Sequence, residues 1–216
     1  MKTLFFDLDG TLINSESGIT KCVQYALDAF GIEENNMDRL RRFIGPPLFD
    51  SFCKYYDFDE KKAREAVAKY RERYHVTGIY ECELYPGVKK ELARLKQDGY
   101  QIAMASSKPE SSCMTILKHF GIDSLFDEVV GATMDGSRDS KIQVLEEAMR
   151  RMEIKDRTRA VLIGDTRFDV DGAKQAGMDC IGVSYGFGSE EELLSHGAIA
   201  VCHTMKEVRE YIEHEI

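Results

Sequence analysis

Two carboxylates at positions 7 and 9 are the first residues of this sequence whose type and spacing could do chemistry. Asp7 and Asp9 come directly after an apolar run, Thr3–Phe6, and are followed by a Gly-Thr pair. In an extended chain, residues two apart point to the same side, so both acids can serve one small pocket. Anions this close repel each other unless a cation lies beside them, and Mg²⁺ binds through one or two carboxylates plus substrate phosphate. Taken alone, the motif indicates either such a site or a solvated turn punctuated by glycine.

A second acidic group follows another apolar run near residue 160. The run Val161-Leu162-Ile163 ends in Gly164-Asp165, and Asp169 follows four residues later. A loop between a strand and a helix can turn Asp165 and Asp169 toward one point. Asp171, expected one or two residues inside that helix, is interpreted as favouring its N-terminal dipole.

Groups that suit an anion lie at two further positions along the chain. Ser106 and Ser107 follow the run Ile102-Ala103-Met104-Ala105, where small hydroxyls and exposed N–H groups before a helix form an anion site or simply a helix cap. Lys141 opens a predicted helix, where the dipole disfavours a cation. A bound anion beside Lys141 explains that placement, and a solvated surface lysine is the alternative.

The elements that must position these residues alternate between strand and helix in the second half of the sequence. Residues 15–83 show only helical patterns, with helices expected at 19–30, 37–44, 48–56 and 60–74. Strands are expected at 3–6, 101–106, 128–131, 160–163, 180–183 and 199–202. Helices are expected between them at 88–97, 111–119, 141–151 and 170–177, with a turn at 190–195 and a helix from 205. This alternation predicts an α/β fold with a doubly wound parallel sheet (Rossmann-like) and an inserted small α-helical domain.

Composition excludes several classes of function. The net charge of −9 and the absence of a basic stripe interleaved with aromatics argue against nucleic-acid binding. No apolar run approaches the roughly 20 residues that span a bilayer, and no targeting segment is recognisable, so no membrane association is expected. Six cysteines are scattered without paired spacing, which favours reduced thiols and a cytoplasmic location.

The four motifs together, in this order and each after a predicted strand, resemble the haloacid dehalogenase superfamily of phosphohydrolases. The match extends over the whole chain, and Tyr85-Pro86-Gly87 and Ser107-Lys108-Pro109 also fit the branch of small-molecule phosphatases that includes phosphoglycolate phosphatases. The resemblance implies an α/β core formed by residues 1–14 and 86–216 and a helical cap formed by residues 15–85.

By this resemblance Asp7 is the nucleophile, and Asp9 protonates the leaving alkoxide and later activates water. Carbon–halogen-cleaving members lack an acid at the position of Asp9, so its presence favours phosphoryl transfer. The phosphoryl oxygens are then held by Thr11, Ser106, Ser107 and Lys141. The implied cofactor is Mg²⁺, bound by Asp7, the main-chain carbonyl of Asp9, Asp165 and, directly or through water, Asp169.

Substrate choice is expected to lie in the cap, which acts as a lid. The candidates are Asn14 and Ser15 at the hinge, Lys21, Arg42 and the Gly45-Pro46-Pro47 turn, although cap lysines and arginines are more often solvated. The expected substrate is a small phosphorylated metabolite such as phosphoglycolate, a nucleoside monophosphate, pyrophosphate or a sugar phosphate, and nothing in the sequence demands more than a monomer. Two other functions remain open: a phosphomutase of the same superfamily and a phospho-acceptor signalling module.

Overall fold

The computed structural model describes residues 2–216, which fold into two compact units. One unit comprises the chain up to Asn14 together with Leu84–Ile216, and the other comprises Ser15–Glu83. The boundary between the units therefore falls two residues before the predicted boundary at 85/86. The role of the second unit as a cap stays a prediction.

The strands are β1 (Thr3–Phe6), β2 (Ile13–Asn14), β3 (Glu83–Leu84), β4 (Gln101–Pro109), β5 (Glu128–Ala132), β6 (Ala160–Gly164), β7 (Asp179–Val183) and β8 (Ala200–Cys202). The α-helices are α1 (Glu16–Asp28), α2 (Met37–Arg41), α3 (Leu48–Tyr56), α4 (Glu60–Tyr74), α5 (Val88–Gln97), α6 (Glu110–Phe120), α7 (Lys141–Arg151), α8 (Arg167–Ala176), α9 (Glu190–His196) and α10 (Met205–Glu215). Short 3₁₀ helices lie at Gly78–Tyr80, Asp123–Leu125 and Arg157–Arg159.

The first unit is built on a six-stranded parallel sheet with the order β5-β4-β1-β6-β7-β8, while β2 and β3 form a separate two-stranded sheet. All four residues of β1 are buried, as expected for an apolar run between two parallel neighbours. The chain fills one side of β1 with β4 and β5 and then crosses to β6 on the other side. Open α/β sheets bind ligands at such a reversal, beyond the carboxyl ends of the strands. The predicted doubly wound parallel fold is confirmed.

Two predicted element boundaries at this edge of the sheet are wrong, and both lie beside candidate site residues. Helix α8 begins at Arg167 rather than at residue 170, because the Asp169 carboxylate accepts hydrogen bonds from the Thr166 main-chain N–H (3.0 Å) and hydroxyl (2.9 Å) and so caps an earlier turn. Strand β4 continues to Pro109 instead of ending at residue 106, with a register shift against β5 between Ala105 and Pro109.

The second unit is all-helical, as predicted. Its helix α1 approaches the 3₁₀ turn closely: a Cβ on Gly18 would lie 2.2 Å from the main-chain oxygen of Gly78. An aromatic cluster fills the region around α3, where Phe43 and Phe52 pack edge to face with their ring centres 4.8 Å apart. The predicted helix at 37–44 is shorter and ends at Arg41.

No helix within residues 2–216 combines the length and apolarity needed to cross a membrane.

Candidate active site

Asp7 extends the central strand by one residue into the edge of the sheet. Its main-chain N–H donates to the carbonyl of Ile163 at 2.9 Å, so the pairing of β1 with β6 persists to this position. Its side chain is nearly buried, with 8% of the residue exposed. Burial raises the pKa of Asp7 to about 6, although the nearby Lys141 ammonium acts in the opposite direction. The carboxylate is thus held where its charge is poorly solvated.

Lys141, the first residue of α7, reaches into the same pocket. Its Nζ lies 2.7 Å from Asp7 Oδ1 and 2.8 Å from Asp169 Oδ1, and it donates to the carbonyl of Ala105 at 2.9 Å. Burial alone would lower the pKa of Lys141, but the charges of Asp169 and Asp7 outweigh it and raise that pKa. A Cβ on Gly172 would lie 2.5 Å from Lys141 Cγ, so the glycine in α8 gives the lysine stem its path.

Asp165 follows β6 and is 1% exposed. Its Oδ1 accepts a hydrogen bond from the Thr11 hydroxyl at 3.3 Å, and its Oδ2 accepts from the Phe187 main-chain N–H at 2.8 Å. Burial, followed by the charges of Asp169 and Asp7, raises the pKa of Asp165 well above its ordinary value. A Cβ on Gly10, whose φ is +79°, would lie 2.0 Å from Asp165 Oδ2, so only glycine fits there.

The three carboxylates form a group that fits a cation. One oxygen from each of Asp7, Asp165 and Asp169 lies within 4.8 Å of the others, and all three residues are buried. Lys141 pairs with two of the three acids, Asp7 and Asp169, so negative charge is in excess among these four groups. Buried, clustered carboxylate oxygens are the donors that hard divalent cations prefer. The chemistry of the donor set therefore fits a divalent metal.

Asp9 stands apart from that group. Both of its carboxylate oxygens accept hydrogen bonds from Lys108 Nζ, at 2.9 and 2.8 Å. The side chains of Asp9 and Lys108 are 15% and 7% exposed. Lys108 is not among the predicted site residues. Its position two residues after Ser106, at the end of an apolar run, was a signal that pointed to it.

The predicted hydroxyl groups occupy different positions. Thr11 is buried and donates to Asp165, and Ser106 is buried with its Oγ accepting from the Lys108 main-chain N–H at 3.3 Å. Ser107 is half-buried in the irregular part of β4. The roles of all three in phosphate binding stay predictions.

The loop after β7 was missed altogether. Tyr185 donates through its hydroxyl to the carbonyl of Thr11 at 3.0 Å, and Phe187 contributes the N–H that Asp165 accepts. A Cβ on Gly186 would lie 2.4 Å from the Cβ of Asp165, and one on Gly188 would lie 2.1 Å from its main-chain oxygen. The signal was a Gly-Phe-Gly sequence just beyond a buried strand.

Asp171 does not belong to this cluster. Because α8 begins at Arg167, Asp171 lies in the second turn of the helix rather than at its start. Its Oδ1 lies 2.8 Å from His196 Nδ1, and the side chain is 43% exposed. The interpretation of Asp171 as an N-terminal dipole partner is therefore wrong.

The residues singled out in the helical unit make local contacts there. Lys21 pairs with Glu81 at 3.1 Å, and the guanidinium of Arg42 lies 5.7 Å from the ring centre of Tyr55. Ser15 is buried. Their part in substrate choice stays a prediction.

Comparison with known proteins places this site in a family. Residues 4–183 match the family model described as haloacid dehalogenase-like hydrolase. A 5′-nucleotidase from Pseudomonas aeruginosa is 41% identical over 97% of this chain and 95% of its own length. The tyrosine-protein kinase PtkA from Mycobacterium tuberculosis is 35% identical over 96% of this chain and 71% of its own. The crystal structure of a predicted phosphatase from Clostridium acetobutylicum superposes with a TM-score of 0.93, at 40% identity and 98% coverage of both chains.

These matches confirm the predicted resemblance and, with it, the enzyme class. The phosphatase names among the relatives agree with the predicted phosphoric monoester hydrolase. The family match covers the ends of β1, β4 and β6, where Asp7, Lys108 and Asp165 lie, and extends through β7. The chain belongs to the haloacid dehalogenase-like hydrolase family.

Proposed function

We propose that the protein is a Mg²⁺-dependent phosphatase that hydrolyses a small phosphomonoester through an aspartyl-phosphate on Asp7. The observation that carries the proposal is the buried group of Asp7, Asp165 and Asp169, with oxygens within 4.8 Å of one another and Lys141 against two of them. A cation held by Asp7, Asp165, Asp169 and the carbonyl of Asp9 would offset the repulsion between an anionic nucleophile and an anionic phosphate.

In the first half-reaction an Asp7 oxygen attacks phosphorus and forms the new O–P bond. The bond from phosphorus to the ester oxygen breaks, its electron pair leaves with that oxygen, and the Asp9 carboxyl group supplies the proton that makes it an alcohol. Lys141, with Thr11, Ser106 and Ser107, is proposed to hold the phosphoryl oxygens. Asp9 leaves this step as a carboxylate.

In the second half-reaction the Asp9 carboxylate takes a proton from water as the water oxygen attacks phosphorus. The bond between phosphorus and Asp7 breaks, and its electron pair returns to the Asp7 carboxylate. Inorganic phosphate is released and Asp9 regains its proton, so both acids are ready for another turnover. The separation of Asp9 from the three clustered acids supports this division of roles.

The substrate class is inferred as a small phosphorylated metabolite such as phosphoglycolate, a nucleoside monophosphate, pyrophosphate or a sugar phosphate. The named relatives include a 5′-nucleotidase, which supports testing nucleoside monophosphates first. The six cysteines are free thiols in the described chain, which supports the proposed location in the reducing cytoplasm.

The test is phosphate release from a panel of phosphomonoesters, with and without Mg²⁺, by the wild type, Asp7→Asn and Asp171→Asn. Asp171→Asn is the matched control. It makes the same change from carboxylate to amide in an exposed side chain that pairs with His196, outside the acidic cluster. We expect release to require Mg²⁺, to be lost in Asp7→Asn and to persist in Asp171→Asn. The ranking across the panel then identifies the substrate.

Three other results would contradict the proposal. Isomerisation of a sugar phosphate faster than phosphate release would establish a mutase. A phosphorylated Asp7 that persists for minutes would establish a signalling module. Transfer of labelled phosphate from ATP to protein tyrosine without hydrolysis would match the name of the mycobacterial relative.

A further inference from the structure

Lys108 is a nearly buried cation that the mechanism above does not use. It lies near the end of β4, and its Nζ donates to both oxygens of Asp9 at 2.8 and 2.9 Å. Lysine is rarely this buried without an acidic partner, because desolvation of the ammonium must be offset. The contact therefore places a buried positive charge against the Asp9 carboxylate.

The main chain around Lys108 is irregular, and this irregularity bears on the direction of the lysine side chain. The pairing of β4 with β5 shifts register between Ala105 and Pro109, so the strand is irregular where Lys108 stands. Such irregularities re-aim side chains next to functional sites. A Cβ on Gly131 would lie 2.5 Å from the Lys108 main-chain oxygen and from the main chain of Glu110, so β5 fits this segment only with glycine there. The Ser106 hydroxyl accepts from the Lys108 N–H at 3.3 Å and completes the support.

Two lysines thus divide four carboxylates into two groups. Lys141 contacts Asp7 and Asp169, which belong to the group that fits a metal. Lys108 pairs with Asp9, which does not contribute a side-chain oxygen to that group. Lys108 contacts both carboxylate oxygens of Asp9 and so fixes the direction of the whole group.

We propose that Lys108 is a positioning residue that holds the Asp9 carboxylate for the second half-reaction, in which Asp9 takes a proton from water. This inference rests on the proposed function. In that half-reaction the proton of Asp9 has already gone to the alcohol, and the two contacts from Lys108 hold both Asp9 oxygens in place while the group accepts a proton from water. Without Lys108, Asp9 loses its fixed direction, and the aspartyl-phosphate on Asp7 turns over slowly.

The test separates the two half-reactions with p-nitrophenyl phosphate, whose leaving group departs without needing a proton. Wild type, Lys108→Met, Lys108→Arg and Asp9→Asn are mixed with this ester and Mg²⁺. The burst of nitrophenolate reports the first half-reaction, the steady-state rate reports the second, and mass spectrometry of acid-quenched protein reports covalent phosphate. Lys118→Met, on the exposed side of α6, is the control for loss of a lysine.

For Lys108→Met we expect an undiminished burst, a steady-state rate lower by about 10-fold or more, and accumulated phosphoprotein. Lys108→Arg is expected to restore part of the rate, because a guanidinium can also grip both carboxylate oxygens. In the Asp9→Asn background, Lys108→Met should cost little more, since the lysine acts through Asp9. Lys118→Met should behave as wild type.

Equal losses of burst amplitude and steady-state rate in Lys108→Met, with no phosphoprotein, would overturn the inference and indicate a structural role. A full additional loss in the Asp9→Asn background would also overturn it. Failure of the proposed function has a different signature: the wild type itself would release no nitrophenolate and carry no covalent phosphate.

Discussion

Two buried acidic sites in the same α/β unit are built on opposite principles. Glu91, in α5, is 2% exposed and accepts hydrogen bonds from Arg209 at 2.7 Å and from Arg94 at 3.2 and 3.3 Å. Burial raises the pKa of Glu91, but the bonds from the two arginines outweigh it, and the pKa lies below its usual range. At Asp165 the balance is reversed, and the pKa lies well above its ordinary value.

The difference lies in how the negative charge is matched. Glu91 pairs with Arg94, Arg209 and Lys90, and Arg209 also pairs with Glu210 and Glu213, so acids and bases are balanced where α5 meets α10. At the edge of the sheet Lys141 pairs with Asp7 and Asp169, and the neighbouring Asp165 is not one of its partners. A balanced buried charge belongs to the architecture, whereas an unbalanced one destabilises the chain alone and is stabilised by a ligand of opposite sign. The number of cations around a buried acid therefore distinguishes a structural ion-pair site from a site that is stabilised by a bound cation.

The largest expected effect comes from Asp7→Asn. Loss of the nucleophile should lower kcat by at least about 10⁴-fold, while the free energy of unfolding in metal-free buffer stays equal to or above that of the wild type, since one repelling charge is gone. Enzyme assay and urea denaturation on the same preparation check both halves. A clear loss of stability would show that Asp7 belongs to the architecture, as Glu91 does.

Mg²⁺ should stabilise the wild type against unfolding. At a concentration 100 times its dissociation constant, the gain is about 2.7 kcal/mol, because the cation binds only the folded cluster. Asp165→Asn should lose most of this gain, and Glu91→Gln should keep it. Thermal unfolding across a Mg²⁺ titration is the measurement, and an equal gain in Asp165→Asn and wild type would remove Asp165 from the metal site.

Glu91→Gln should act on stability alone. Removing the charge that two arginines share should lower the free energy of unfolding by about 1–3 kcal/mol, with kcat unchanged. Chemical denaturation and the phosphatase assay together make the check. A loss of kcat without loss of stability would contradict the comparison.

The smallest expected effect is the pH dependence of the difference in unfolding free energy between wild type and Glu91→Gln. The folded-state pKa of Glu91 is lowered, so its stabilising contribution is present above the unfolded-state pKa of about 4.3 and is lost as the pH falls through the lower folded value. The stability gap between wild type and Glu91→Gln should hold from pH 7 to about 5 and shrink below about pH 4. A stability gap that grows on acidification would mean that folding raises the pKa of Glu91 rather than lowering it.

Much of the candidate site was predictable from sequence because its residues directly follow buried apolar runs. Asp7 and Asp165 terminate strands whose apolar composition is unambiguous, and Lys141 opens a helix at the predicted residue. Strands that are parallel must bring such ends to one edge of the sheet. The order of the four motifs along the chain then indicated the family.

The parts that escaped prediction depend on contacts between distant residues. Lys108 contacts Asp9 across 99 positions, and the register shift of β4 that accompanies this contact cannot be read from the apolar run before it. Phe187 contributes only its main-chain N–H, which carries no residue-specific signal. Asp171 was misjudged because a cap made by Asp169 moved the start of α8 by one turn.

The central position of β1 has a consequence for how the protein forms. Thr3 pairs with Gln101 on one side and with Ala160 on the other, so the innermost strand precedes both of its neighbours by a long stretch of chain. During synthesis from the N-terminus, this apolar segment waits without partners until both later strands emerge. Such late, non-local strand pairing is slow and leaves apolar, aggregation-prone surface exposed in the meantime. Asp7, the proposed nucleophile, is thus made long before the two strands that complete its surroundings.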